Sequence, residues 1–174
     1  MKSKLFKTIN PYVDKVLSKV KKPTKLLLAV SGGQDSSVML DYLGKLASRT
    51  DSIELVVAHF DHGLRKESPQ ERAFVEQRAD LMNLKFVTKK APNFDGSSNM
   101  ESWAREQRYA FFEEQREKLS CDYVATAHHM KDQTETMIMR FFNGRLATKS
   151  CGISAIDKKR FSIRPFLYLS LIHI

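Results

Sequence analysis

The run Lys25-Leu26-Leu27-Leu28-Ala29-Val30 passes directly into Ser31-Gly32-Gly33-Gln34-Asp35-Ser36, and this junction constrains the fold more than any other feature of the chain. The apolar run has the make-up of a buried strand. The residues after Ser36 have helical spacing, with Met39, Leu43, Leu46 and Ala47 on one face. A strand that enters a helix through two glycines aims backbone N–H groups and the positive end of a helix dipole at one spot, which suits an anion. The glycines allow close approach of a phosphate, and the serines add hydroxyl donors. Ser31, Gly32, Gly33, Gln34, Asp35 and Ser36 are therefore the candidate nucleotide-binding residues. Asp35 places a carboxylate beside phosphates, which repel it unless a divalent cation intervenes, so Mg²⁺ is implied. No lysine follows the glycines, which disfavours a Walker A loop.

Downstream, the pattern alternates. Strand-like runs cover 26–30, 53–58, 86–89 and 123–127, and helix-like runs cover 36–49, 69–83, 100–119 and 132–142. Two helix starts carry capping boxes, Ser68-Pro69-Gln70-Glu71 and Ser98-Asn99-Met100-Glu101. Strand–helix repetition predicts an α/β fold, a doubly wound, mostly parallel, Rossmann-like sheet with helices on both faces. The 174 residues suit one domain. Residues 1–22 are expected to form a short basic amphipathic helix (Leu5, Ile9, Tyr12, Val16, Val20) that covers an edge or meets a partner, with 23–174 expected as the α/β domain that carries the glycine turn. In such sheets the ligand lies outside the carboxyl ends of the strands. Four polar loops are expected there, after Val30, Ala58, Lys89 and Ala127.

The net charge of +9 is unevenly placed, at +7 in residues 1–25, −4 in 26–139 and +6 in 140–174. The basic ends are either solvated lysines or a footprint for a nucleic-acid backbone. Apolar runs are far shorter than a membrane span, and the lysine-rich start Met1-Lys2-Ser3-Lys4-Leu5-Phe6-Lys7 has no continuous apolar run, so a signal peptide is not expected there. Cys121 and Cys151 have no metal or redox spacing and suggest free thiols in a reducing cytoplasm.

Several residues carry two readings. His59 and His62 do not complete a zinc site without further ligands. His59, closing a strand, hydrogen-bonds either the nucleotide or a loop carbonyl, and Arg65 can pair with phosphate. Asp132, after His128-His129, is either a second Mg²⁺ ligand with Asp35 or a helix-dipole partner; the functional role is preferred because polar loops converge. Arg105 and Arg108 lie one helical turn apart. They either decorate the helix as ion pairs with Glu101 and Glu113, or Arg105 faces the nucleotide and stabilises transferring charge. Trp103, Tyr109, Phe111-Phe112 and Phe141-Phe142 are expected in the core.

Taken together, these segments resemble a known family. Ser-Gly-Gly-x-Asp-Ser at 31–36 resembles the PP-loop of the N-type ATP pyrophosphatases. Ala58-His59-Phe60-Asp61-His62-Gly63-Leu64-Arg65, Ala104-Arg105-Glu106-Gln107-Arg108-Tyr109, the run from Ala125 to Arg140 and Ile163-Arg164-Pro165-Phe166-Leu167 are similar to those of tRNA(Ile)-lysidine synthases within that superfamily. The resemblance implies ATP and Mg²⁺ as cofactors, and the anticodon loop of a minor isoleucine tRNA and free lysine as partners. It further implies adenylation of the wobble cytidine, then attack by lysine to give lysidine. Asp35, Arg105 and Asp132 would be catalytic, with Asp35 and Asp132 on the metal and His59 beside the nucleotide. A homodimer stays open. Two local departures stand out: Lys131-Asp132 replaces the family's two adjacent acids, and 143–152 matches a Gly-rich, Arg-containing loop imperfectly. Family members continue past the position of Ile174, so a truncated catalytic fragment without tRNA-recognition domains is expected. The rival readings are a tRNA thiolase with paired cysteines, a synthetase acting on a small acid, and a non-catalytic nucleotide-binding module.

Overall fold

A computed structural model of the chain describes residues 4–63, 68–94, 99–143 and 152–170. The elements are α1 (Lys4–Leu17), β1 (Thr24–Ala29), α2 (Gln34–Ala47), β2 (Ile53–Asp61), α3 (Ser68–Leu81), β3 (Lys85–Lys90), α4 (Met100–Lys118), β4 (Tyr123–Ala125), α5 (Met130–Phe142), β5 (Ile156–Asp157) and β6 (Ser162–Ile163). Arg65, Ser98, Cys151 and most of the 143–152 loop fall outside the described residues. The chain forms two compact units, 22–124 and a smaller one built from 1–21 and 125–174.

In the larger unit the strands lie in the order β3-β2-β1-β4. β1 and β2 pair in parallel with Leu26 opposite Leu55, and β2 and β3 in parallel with Val57 opposite Phe86. The chain moves outward from β1 through α2, β2, α3 and β3, then returns through α4 to β4 on the far side of β1. Right-handed crossovers place α2 and α3 on one face and α4 on the other. Both faces are covered, so β1 and β2 are almost continuously apolar and buried, unlike the alternating pattern of a half-solvated strand. On the α4 face Leu27, Val56, Ala58 and Phe60 pack with Phe111, Phe112 and Val124. Phe111 is fully buried, and its replacement by alanine is expected to cost about 3–5 kcal/mol. The start of β4 is tied to β1, where the Asp122 N–H donates to the Lys25 carbonyl at 2.8 Å and the Lys25 N–H donates to Asp122 Oδ2 at 2.8 Å.

In the smaller unit, α1 buries Ile9, Val13, Val16 and Leu17, and the C-terminal stretch buries Ile163, Phe166, Leu167 and Leu169. The Lys15 ammonium lies 4.3 Å above the Tyr168 ring, linking the helix to that stretch. β5 and β6 form an antiparallel hairpin with Ile156 opposite Ile163. Thr126, just past β4, donates its N–H to the Ile163 carbonyl at 3.0 Å.

Two expectations are corrected. Phe141 and Phe142 are not core: they are 62% and 80% exposed, because α5 buries none of its residues. Asn99, not Ser98, caps α4, its side chain accepting the N–H groups of Glu101 (3.0 Å) and Ser102 (3.1 Å). Among the described residues no helix is long and apolar enough to cross a membrane.

Candidate functional site

The loop after β1 is built by its own side chains. Gly32 has φ +89°, and a Cβ there would lie 3.1 Å from Glu71 Cβ, so only glycine fits both the backbone angle and the space. Gly33 is the N-cap of α2 and contributes no side-chain cap, which leaves the first-turn amides without an intrahelical acceptor. Ser31 and Ser36 close the turn. The Ser31 N–H donates to Ser36 Oγ at 3.2 Å, the two hydroxyl oxygens are 3.1 Å apart, and the Ser36 hydroxyl donates to the Gly33 carbonyl at 3.0 Å. The Gly33 N–H donates to Ser31 Oγ at 3.3 Å. Ser36 is buried, so its hydroxyl first holds the loop's shape. Asp35 and Gln34 lie in the first turn of α2, where a carboxylate complements the dipole.

Beside this loop, and wholly within the larger unit, is a cleft of about 710 Å³. That is the size of a site for a nucleotide-sized ligand. Ser31 and Gly33 form one wall, the end of β2 (Phe60, Asp61) and His62 another, Ser68 and Glu71 of α3 a third, and Asn99 to Arg108 the fourth. The loops after β1 and β2 therefore meet as expected, and the chain after β3 contributes through the start of α4. Arg105 and Arg108 both line the cleft. Of the two acids that could pair with them along the helix, Glu113 is joined instead to Arg116, whose Nη2 is 2.6 Å from its Oε1, and Glu101 lines the cleft beside them. Arg105 donates to the Tyr109 hydroxyl at 3.3 Å, and its guanidinium lies 5.1 Å from that ring's centroid. Tyr109 is correspondingly 37% exposed rather than core, because it supports the arginine. Trp103 is half-buried against the α4-face core, its ring 5.2 Å from that of Phe94.

The remaining expected residues stand elsewhere. Of the six loop residues, Ser31 and Gly33 line the cleft. His59 does not: it is 2% exposed, and its Nδ1 donates to the Val30 carbonyl at 2.9 Å. The loop-carbonyl alternative is the one observed, so His59 braces the residue before the glycine turn from inside the core. Asp132 belongs to the smaller unit, where its Oδ2 accepts the His129 N–H at 2.7 Å while His129 Nδ1 accepts the Lys131 N–H at 3.2 Å. His129 is thus the N-cap of α5, and Asp132 completes its capping box. Among the described residues there is no group of three or more His, Cys, Asp or Glu that could hold a metal. Asp61, His62, Glu71 and Glu101 also line the cleft although none was expected there as a site residue; their positions at a strand end or in a first helical turn are the shared cue.

Comparison with known proteins follows the same lines. The chain is similar to the tRNA(Ile)-lysidine synthase of Petrotoga mobilis, at 40% identity over 172 residues, 97% of this chain and 53% of that protein. The Persephonella marina synthase is 37% identical over 160 residues, 89% of this chain and 34% of its own length. This chain thus spans about half or less of the length of these curated relatives. Among solved structures, a U34-tRNA thiolase, NcsA, from Methanococcus maripaludis superposes with a TM-score of 0.78 at 15% identity, covering 97% of this chain and 61% of that one. An NMN synthetase from Francisella tularensis superposes with a TM-score of 0.57 at 13% identity, covering 97% and 65%. At such identities the likeness is one of fold. The model of the PP-loop domain, an ATP-binding family, matches residues 3–174, and with the glycine turn and its cleft this places the chain in the PP-loop domain family.

Proposed function

We propose that this chain is the ATP-handling catalytic part of a tRNA(Ile)-lysidine synthase. The observation that carries the reading is the cleft in which Ser31 and Gly33 face Arg105 and Arg108. It is supported by the 40% identity to a tRNA(Ile)-lysidine synthase over 97% of the chain. In the proposed reaction the carbonyl oxygen of the wobble cytidine attacks the α-phosphorus of ATP, the α–β bridging P–O bond breaks, and pyrophosphate leaves. The amine of free lysine then attacks the activated ring carbon, that carbon's bond to the phosphate oxygen breaks, and AMP leaves. The α2 N-terminus and the serine hydroxyls suit the leaving pyrophosphate, and Arg105 and Arg108 suit charge developing on the α-phosphate. The wobble base must leave its stack to reach such a cleft, which single-stranded loops permit.

Asp35 is the carboxylate we assign to Mg²⁺. Asp35 lies in the first turn of α2 beside the glycine turn, where it would hold a hard cation that takes its other oxygens from phosphates and water. When bound, the ion supplies neutralisation of phosphate charge. Asp132 is proposed as a second acidic participant, beyond its part in the α5 cap. The likeness to a thiolase is one of fold, and Cys121 is a free thiol buried in the core beneath α4, not beside the cleft.

The test uses labelled ATP, Mg²⁺ and lysine, with and without minor isoleucine tRNA. Release of pyrophosphate only with the tRNA is expected, and release independent of it overturns the reading. Asp35→Ala is expected to abolish release, and retained activity removes Asp35 from the metal.

A further inference from the structure

The excess positive charge belongs to one unit. Residues 1–21 and 125–174 hold fourteen Lys or Arg against four Asp or Glu, whereas 22–124 hold fifteen against sixteen. Within the smaller unit the hairpin of β5 and β6 turns through Lys158-Lys159-Arg160-Phe161, four consecutive exposed residues. The single acid at the turn, Asp157, is turned to the backbone: its Oδ1 accepts the N–H groups of Lys159 (3.1 Å) and Arg160 (3.2 Å). Among the described residues none of the three cationic side chains forms an ion pair. Phe161 holds φ +44°, an unfavourable backbone for a bulky residue, with its ring 43% exposed.

The base of the hairpin is fixed. Arg164 donates its N–H to the Ala155 carbonyl at 2.8 Å and Nη1 to the Ser154 carbonyl at 2.6 Å, and Ile163 receives the Thr126 N–H. A braced turn therefore presents three adjacent positive charges and a partly exposed aromatic ring. Three like charges side by side repel one another and are relieved by a polyanion. An aromatic beside them matches the stacking-plus-phosphate chemistry of single-stranded nucleic acid. A bilayer is the weaker match, because one ring offers little apolar surface to insert.

We infer that the tip formed by Lys158, Lys159, Arg160 and Phe161 is an RNA-contacting surface, with the cations on phosphates and Phe161 stacked on an unpaired base. The inference rests on the proposed tRNA substrate and adds the place at which the smaller unit holds it.

Binding of minor isoleucine tRNA and of an oligocytidylate is measured by fluorescence anisotropy across a salt series. The wild-type chain is compared with the triple variant Lys158→Gln, Lys159→Gln, Arg160→Gln and with Phe161→Ala. The triple variant is expected to flatten the slope of log K against log salt by about 2, from three lost contacts on a single strand. Phe161→Ala is expected to weaken binding about fivefold or more with the slope unchanged, since stacking releases no counterions. ATP-induced shifts in melting temperature serve as the folding control and should match wild type in both variants. Wild-type slope and affinity in the folded triple variant overturn the inference and leave the tRNA reading standing. Failure of the wild-type chain to bind either RNA at low salt overturns both. Retention by phosphatidylserine vesicles, lost in the triple variant while RNA binding is kept, overturns the inference in favour of a membrane.

Discussion

Gly32 is the position where a single methyl group has the largest predictable effect. At φ +89° an alanine is strained by about 1–3 kcal/mol, and its Cβ presses on Glu71 across the cleft wall. Gly32→Ala is therefore expected to lower the urea midpoint and to weaken ATP binding together, both readable by titration. Arg105 behaves differently, because it is exposed and packs on Tyr109 rather than in the core. Arg105→Ala is expected to leave the melting temperature unchanged and to cut pyrophosphate release by about 10²-fold. Arg105→Lys should recover little of it, since an ammonium cannot reproduce the planar fork. The glycine turn was legible because its residue types are intelligible without neighbours. The placement of Arg105 was not: helix spacing alone allows an ion pair with Glu101 or Glu113, whereas the folded chain sets Arg105 on Tyr109 at the cleft and joins Glu113 to Arg116. The position of His59 similarly allows a nucleotide or a loop carbonyl as partner, and the fold supplies the Val30 carbonyl at 2.9 Å.

At the scale of elements, the seam between α4 and β4 gathers Arg116, Glu113 and Cys121. Arg116 donates to Glu113 through Nε at 2.9 Å and Nη2 at 2.6 Å, and reaches the Cys121 carbonyl with Nη1 at 3.3 Å. Its hydrogen bonds to Glu113 raise the guanidinium pKa further above its usual range. Burial pushes the Cys121 thiol above 9.0, partly offset by Lys25 and Arg116. The folded chain then holds the thiol proton at a pH where the unfolded chain has lost it. The associated stability is full below about pH 9 and falls as pH rises. Urea unfolding above pH 9 should show a steeper loss in wild type than in Cys121→Ala, and equal slopes would refute this. The main strands and helices could be read from period and caps because each is long and continuously apolar or amphipathic. The two-residue strands β5 and β6 could not, since a hairpin that short leaves no periodicity and is defined by its pairing.

For the molecule as a whole, ATP with Mg²⁺ at 100 times its dissociation constant should stabilise the fold by about 2.7 kcal/mol, seen as a rise in melting temperature. The same addition should give no rise in Asp35→Ala. The doubly wound order followed from strand–helix alternation, because parallel strands need helical crossovers and those crossovers have one hand. Partition into two units was not legible: α1 and the C-terminal stretch are far apart in sequence and meet through contacts such as Lys15 on Tyr168.

The bare apolar side of α5 has a practical outcome. Met137, Ile138, Met139, Phe141 and Phe142 are all exposed in the folded chain. Anilinonaphthalene dyes that fluoresce on apolar surface are usually taken to report a loosened core. Here the fully folded protein should light them up, and tightening the core with ligand should not quench the signal. Phe141→Ser with Phe142→Ser should quench it while near-ultraviolet circular dichroism from Trp103 stays unchanged. Brightness in a refolding screen of this protein would then measure one helix and not the quality of the fold.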